Sequence, residues 1–422
     1  MSCTRALLGL ALATAIATAL AGCGPATPVP SDSPTPTSAA TFATTGDGVL
    51  RIGDLYPASG AAAFLGPAQA AGVNLAIADI NAAGGVNGKP VEVVNKDTAD
   101  ASSTTVESSF AALVDAKVDV VVGPNSSVLA QRVVPLAVKA KIPVISPAAT
   151  YPGLTTIADS GYFFRTIPSY EYQGTVLGRY LSASGPVKVA LLFLDDDLGE
   201  AIEPTLRASL EAAGSTLLSL PFAPKDTDFS ALITKITDAK PDVVVLSAPF
   251  SAIDQSKVII PALTTAGYGA AKLWLTSQAA ADYSQALPAG LLNGVNGIID
   301  GFRADDAFIA RLKQVDSSLG ETRYAAEAYD ATILAALAAT VAHDDGAAAI
   351  QRALPDVSKG GIKCGTFAEC LQVLKTQPNI DYDGISGPVN FTDAGDVTPG
   401  FYGLYAYNSE NKFVFQKDAF GR

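Results

Sequence analysis

The sequence predicts an α/β fold made of two successive units, each a parallel sheet with helices on both faces. Three observations lead there. From Val49 onward, short β-branched runs alternate with longer helical stretches, the pattern of parallel strands buried between helices. The rhythm then restarts after Pro168, and since four or five strands fill one sheet, the later strands belong to a second one. Finally, 49% of residues are hydrophobic and only 16% are charged, which is too apolar for a disordered chain. At about 150 residues per domain, 422 residues make two to three domains.

The elements follow in order. Val49–Leu55 reads as a strand. Pro67–Ala83 is a helix stopped by Gly84 and Gly85, residues that favour a helix end. Val91–Asn95 is a strand, Ser102–Ala116 a helix, and Val118–Val122 a buried strand. Val128–Lys139 is a helix and Ile142–Ile145 a strand. After Pro168, the predicted helices are Glu171–Leu181, Glu200–Ala213, Phe229–Ala239 and a stretch near Ser256–Ala266. Between and after them come strands at Val187–Leu194, Thr216–Pro221, Val243–Leu246, Leu273–Thr276 and Gly297–Asp300. Ala325–Ala342 is a long Ala-rich helix and Thr366–Thr376 another. Aromatic strand patterns, Gly400–Asn408 and Phe413–Gln416, close the chain.

The first 47 residues read differently. Arg5 is followed by an uncharged Ala/Leu-rich run, Ala6 to Ala21. That is shorter than the roughly 20 residues of a spanning helix and has the form of a secretory signal. No later run reads as long and apolar enough to be a membrane span. Leu20-Ala21-Gly22-Cys23 resembles the bacterial lipobox, which implies cleavage after residue 22 and acylation of Cys23. Residues 24–47 are rich in Pro, Thr, Ser and Ala, a composition that forms a loose spacer rather than a core. Cys364 and Cys370 then remain as an even pair in an exported protein, where a structural disulfide pinning a helix start is expected.

Composition excludes several function classes. One His cannot supply a two-His metal site and leaves any Ser–His–Asp chemistry dependent on a single residue. A net charge of −13, from 28 Lys+Arg and 41 Asp+Glu, argues against nucleic-acid binding. Neither a Walker loop nor a Gly-x-Gly-x-x-Gly motif occurs. Gly84–Lys89 follows a helix and precedes a strand, the reverse of a phosphate loop, so it is a turn. Asp195–Asp197 lacks the alternating spacing of a calcium loop. His343, at a helix end beside Asp344, reads as a surface residue. No cofactor, metal site or catalytic residue is expected.

Two strand ends are better candidates. Gly123–Ser127 follows a strand and leads into a helix, whose first N–H groups lack partners and carry partial positive charge. Gly123 allows close backbone approach, and Ser126 and Ser127 add hydroxyls. This is a carboxylate site that needs no Arg or Lys. Ser146–Thr150 ends the next strand with a second set of donors. Ser126 has a second reading as a plain N-cap.

Several segments, in order, resemble the periplasmic binding proteins of the branched-chain amino-acid transport family. They are Asp79–Pro90, Asp119–Ser127, Ile142–Thr150, Tyr162–Thr166 with Gln173-Gly174, Asp228–Ser230, Lys240–Asp242, Tyr329–Ala331 and Ile385–Phe391. The resemblance implies a type I periplasmic binding fold: two Rossmann-like lobes with central parallel sheets, joined by three hinge crossings near Pro168, Phe302 and Gly387. Lobe 1 would be residues 48–168 plus 302–386, and lobe 2 residues 169–301 plus 387–422. Ligand would bind between lobes that close on it. Ser127, Ala148 and Thr150 would then hold its α-carboxylate and part of its amino group. Leu65, in the cleft loop Ser59–Gly66, would take the place of an aromatic ligand contact. Tyr329 would either pack on the ligand or belong to the core.

The sequence departs from that family where the ligand's ammonium is paired. Gln278 stands at the position of the acidic residue, and Pro249 or Phe250 at that of the tyrosine. A neutral Gln bonds an ammonium less strongly than a carboxylate does. The expectation is a non-enzymatic, monomeric, lipid-anchored receptor on the outer face of the bacterial cell membrane. It would bind a small carboxylate-bearing solute, with branched-chain amino acids leading, and present it to an ABC permease with its ATPase. The alternative is a sensory module for an amide or aromatic acid.

Overall fold

The computed structural model describes residues 45–421, except Ala61, Phe250, Ser251, Gln278, Phe302 and Pro399. The predicted signal, Cys23 and most of the spacer lie outside the described residues.

The first lobe begins with β1 (Arg51–Tyr56), α1 (Gly66–Ala82), β2 (Glu92–Asp97), α2 (Thr105–Asp115), β3 (Val120–Val122), α3 (Ser127–Ala140), β4 (Val144–Ser146) and β5 (Phe163–Arg165). Its five strands run parallel in the order β2-β1-β3-β4-β5. All three valines of β3 are buried, because helices cover both faces of the sheet and no polar alternation is needed. The sequence reading named Phe163–Arg165 only within a family motif, not as a strand. Three residues are too few to show a period, and only pairing with β4 makes them a strand.

The second lobe takes α4 (Tyr170–Leu181), β6 (Lys188–Leu194), α5 (Asp197–Ala212), β7 (Thr216–Phe222), α6 (Ser230–Ala239), β8 (Val243–Ser247), α7 (Ile253–Thr265), β9 (Leu273–Leu275) and β10 (Asn296–Asp300). The chain then returns to the first lobe as α8 (Asp306–Val315), α9 (Ala325–Ala342), α10 (Ala347–Val357), β11 (Ile362–Cys364), α11 (Phe367–Leu374), β12 (Ile380–Gly384) and β13 (Gly387–Pro388). It ends in the second lobe as the hairpin β14 (Gly400–Tyr407) and β15 (Phe413–Gly421). The second sheet is seven-stranded, in the order β15-β14-β10-β9-β8-β6-β7, with β14 antiparallel to β10.

α9 is the core helix of the first lobe. Every residue from Ala325 to Ala339 is buried. Small side chains let it approach α1 so closely that a Cβ on Gly72 would lie 2.2 Å from the Ala325 carbonyl oxygen. One sequence expectation needs correction here. By length and composition α9 is long and apolar enough to cross a membrane, although 83% of its residues are buried inside the protein. It is all-round hydrophobic because neighbours surround it.

The crossings lie side by side. The first passes from Ile167 to Tyr170, each buried in a different core. The second runs between Asp300 and Ala304, and the Gly301 N–H donates to the Phe401 carbonyl at 3.0 Å. The Tyr402 hydroxyl donates to the Ser169 carbonyl at 3.3 Å, joining the third crossing to the first. That third crossing is later than the sequence suggested. Val389, Phe391 and Val397 are buried in the first lobe's core, so residues 387–398 stay there and the chain reaches the second sheet at Gly400. The motif around Gly387 marks a turn within lobe 1, where β12 pairs with β13.

Candidate functional site

The site is built at the carboxyl ends of β3 and β4. Gly123 has φ +114, and a Cβ there would sit 2.1 Å from the Leu55 carbonyl oxygen. Only glycine lets the chain turn this tightly over β1. Below it runs a buried polar chain: Asn125 Nδ2 donates to Gln69 Oε1 at 3.2 Å, and Gln69 Nε2 donates to Asp54 Oδ1 at 2.9 Å. Burial pushes the Asp54 carboxyl up to about 7, with the Gln69 bond opposing it. Asp54 therefore adds little negative charge beneath the loop until the pH passes neutrality.

Ser126 is the extended N-cap residue of α3, but its side chain makes no capping bond. Ser127 is the first helical residue. Its hydroxyl accepts from the Tyr151 N–H at 3.0 Å, so it ties the first loop to the second and keeps its proton available for a ligand. Ser146 Oγ donates to the Pro124 carbonyl at 2.7 Å and accepts from the Ala149 N–H at 3.0 Å. The Thr150 carbonyl accepts from the Tyr170 N–H at 2.8 Å, where the chain enters the second lobe. The two predicted loops are thus sewn into one surface at the hinge.

Arg165 supports that surface from behind. Its guanidinium is fully buried and donates to the Ala149 carbonyl at 3.1 Å, the Tyr151 carbonyl at 3.0 Å and Thr155 Oγ1 at 2.8 Å. Asp396 balances its charge at 2.5 Å. Sequence reasoning recorded Arg165 within a motif but gave it no role, because its partner lies 231 residues away.

Leu65 and Ala148 do come together. They pack in one buried cluster with Ile167 and Tyr324. Tyr324 was missed. It caps α9 in the left-handed conformation, φ +66, which is rare for a bulky side chain and is often kept at functional sites. Of its two readings, Tyr329 takes the core one. It lies in the core, edge-on to Phe308 at 5.3 Å, and its hydroxyl donates to Asp79 at 2.6 Å. It does not join Ser127, Ala148 and Thr150, because one and a half turns of α9 carry it away from the capped end. Tyr329-Asp330 and Ile385-Ser386 matter structurally: the Asp330 carboxylate accepts from the Tyr382 hydroxyl and from the N–H groups of Ile385 and Ser386.

On the second lobe, the Tyr170 hydroxyl lies 3.0 Å from Ser247 Oγ and donates to Thr276 Oγ1 at 2.8 Å. Gln173 bonds Ser277 and donates to Asp300 Oδ1 at 2.6 Å. Asp300 Oδ2 is buried without a partner, and burial pushes this carboxyl up to about 7. Phe250 and Gln278 lie outside the described residues. Arg323 joins the lobes by donating to the Ala280 carbonyl at 3.3 Å.

Cys364 and Cys370 are bonded to each other, with Cα atoms 5.2 Å apart, across the start of α11. Among the described residues, no group of three His, Cys, Asp or Glu could hold a metal ion.

Residues 49–399 match the family described as periplasmic binding protein. The chemotactic signal transduction system substrate-binding protein BasB of Halobacterium salinarum is 26% identical over 363 residues, covering 83% of this chain and 85% of that protein. An amino acid binding protein of Pseudomonas aeruginosa is 26% identical over 367 residues, 86% of this chain and 91% of that protein. The solved structure of the branched-chain amino acid transporter substrate binding protein LivJ from Streptococcus pneumoniae, in complex with isoleucine, superposes with a TM-score of 0.67 at 25% identity. It covers 87% of this chain and 100% of its own.

Proposed function

The chain belongs to the periplasmic binding protein family, whose members bind solutes outside the cytoplasm and are not enzymes, and from that premise we propose that it captures a small carboxylate-bearing solute for an ABC importer. One observation carries the carboxylate reading. The loops after β3 and β4 are tied together through Ser127 and Ser146, and they set the unpartnered N–H groups of α3's first turn beside the Ser127 hydroxyl. Such an array stabilises an anion without a basic side chain in contact with it. Branched-chain and related amino acids lead the candidates, supported by the amino acid binding relative and the isoleucine-bound neighbour.

Capture proceeds by closure of the lobes about the three adjacent crossings. Acylation of Cys23 anchors the chain to the outer face of the membrane, and a permease with its ATPase takes the solute. The protein acts as a monomer. The chemotactic relative favours a second reading, in which the closed form is read by a sensory partner.

Native mass spectrometry of the purified full chain identifies any solute held unchanged. Calorimetry with leucine, isoleucine, valine, neutral amides and aromatic acids then ranks the classes. Binding of at least one carboxylate-bearing solute is the expected result; failure of every one sinks the carboxylate reading.

A further inference from the structure

Residues 57–66 leave the carboxyl end of β1 as a closed loop. Its ends touch: a Cβ on Gly66 would lie 2.0 Å from the Pro57 carbonyl oxygen. Compact loops of this kind are usually packed by their own side chains. This one reads Pro-Ala-Ser-Gly-Ala-Ala-Ala before it reaches Phe64, so its first half has no large side chain with which to hold itself.

The second half carries two contacts at the cleft. Leu65 packs with Ala148, Ile167 and Tyr324. The Arg323 guanidinium lies 5.8 Å from the centre of the Phe64 ring, and it donates to the Ala280 carbonyl of the second lobe at 3.3 Å. The loop therefore touches both the site surface and a residue that joins the lobes.

Asp97, the last residue of β2, grips the first half. Its Oδ1 accepts from the N–H groups of Ala58 at 2.9 Å, Ser59 at 3.1 Å and Ala99 at 2.8 Å. Its Oδ2 accepts from the Ser59 hydroxyl. Burial opposes the charge on this carboxyl, but the bonds from Ser59, Ala99 and Ala58 outweigh it and hold the pKa below its ordinary value. The group is thus a carboxylate at neutral pH, and bonds to a charged acceptor are the strong ones. Asp97 is itself fixed, since its backbone pairs with Tyr56 and its carbonyl accepts from the Ser109 hydroxyl of α2.

We infer that Asp97 is a positioning residue of the solute site: by holding Ala58 and Ser59, its carboxylate fixes the loop of residues 57–66 so that Leu65 meets Ala148 and Phe64 meets Arg323. The inference rests on the solute-binding reading above and adds to it a residue that touches no solute. Without the carboxylate, the solute must order the loop as it binds, and affinity falls by the fraction of time the loop is out of place.

The test uses the full chain, with hydrogen exchange read in the absence of solute and isoleucine binding read by calorimetry. In Asp97→Ala, exchange should rise at residues 58–65 and stay unchanged at residues 144–150. A loop in place roughly a tenth of the time weakens isoleucine about tenfold, and a loss of that order is expected. Asp97→Asn keeps an oxygen for the N–H groups but no charge, and should fall between parent and Asp97→Ala in both readouts. The inference is overturned if exchange at residues 58–65 matches the parent in both variants, or if it rises while isoleucine affinity holds. It is equally overturned if exchange rises across the whole first lobe, because Asp97 would then support the fold rather than the loop. A parent chain that ignores isoleucine contradicts the amino-acid reading instead, and exchange at residues 58–65 alone then decides whether Asp97 holds the loop.

Discussion

Arg165 and Asp396 form an ion pair sealed inside the first lobe, with 2.5 Å between Nε and Oδ1 and side chains only 0% and 5% exposed. The pair joins β5 to the turn that precedes the third crossing, and the same guanidinium grips the Ala149 and Tyr151 carbonyls. Charge balance at this point therefore supports both the hinge and the loop carrying Ala148 and Thr150. Breaking one side of a buried pair costs about 3–5 kcal/mol, whereas replacing both partners by apolar residues costs much less. Urea denaturation should show Asp396→Ala losing about that much stability, and Arg165→Met with Asp396→Leu losing less. Equal losses would mean that the uncompensated charge is not the cause.

Asp300 predicts a pH dependence. Its folded-state value of about 7 lies above the ordinary 3.8 because burial penalises the charged form. The folded chain then holds this proton more tightly than the unfolded chain. Its contribution to stability is complete below about pH 4 and is lost as pH rises through about 7. Asp300→Asn removes that dependence. Thermal melts from pH 5 to pH 8 should give a flatter curve for the variant, with a relative gain at pH 8 of about 2–4 kcal/mol. Parallel curves for variant and parent would refute the assignment. Asp54 and Asp119, also pushed up to about 7, slope the same way in both proteins and cancel in the comparison.

Gly123 and Gly84 separate backbone strain from close approach. Both have positive φ, +114 and +108, but a Cβ on Gly84 meets nothing within 4 Å, while one on Gly123 meets the Leu55 carbonyl oxygen at 2.1 Å. Gly84→Ala should cost about 1–2 kcal/mol from conformation alone. Gly123→Ala should cost clearly more and also abolish solute binding, because the whole anion loop must lift off β1. Similar stabilities in chemical denaturation would show that the loop yields cheaply.

Much of this was readable beforehand, for physical reasons that can be named. Val120–Val122 and Lys188–Leu194 declare themselves because buried parallel strands concentrate β-branched and aliphatic residues, and Gly84-Gly85 stops α1 visibly. Ser127, Ala148 and Thr150 were named from the family resemblance of the loops that carry them, and the Ser127–Tyr151 bond shows that those two loops are neighbours. α8 was missed, since Phe308 and Leu312 are its only buried residues and so brief a stripe gives little period. α10 was also missed, with a proline inside the helix. Tyr324 had no local signal, because a left-handed tyrosine is imposed by packing against Leu65, Ala148 and Ile167. Tyr329 was half-read: the motif was right, but its ring serves Asp79. The last crossing was placed early because Ile385–Phe391 reads as an exit, and only the burial of Val389, Phe391 and Val397 keeps it in the first lobe.

Ser127 is the residue on which the anion site can be weighed directly. Its hydroxyl accepts from Tyr151 N–H and has one proton to give a ligand oxygen. Ser127→Ala should weaken binding of the identified solute by about 1–3 kcal/mol, read by calorimetry, with the melting temperature little changed. Unchanged affinity would move the site elsewhere.

The central claim is that the α3 first turn and the loop at Ser146–Thr150 hold a carboxylate. Calorimetric titration of the full chain with the best-binding acid and with its own primary amide, matched in every other group, tests this most directly. The account predicts that the acid binds and the amide is weaker by at least about a hundredfold, the loss of a charge received by several donors. Equal affinity for acid and amide would contradict it.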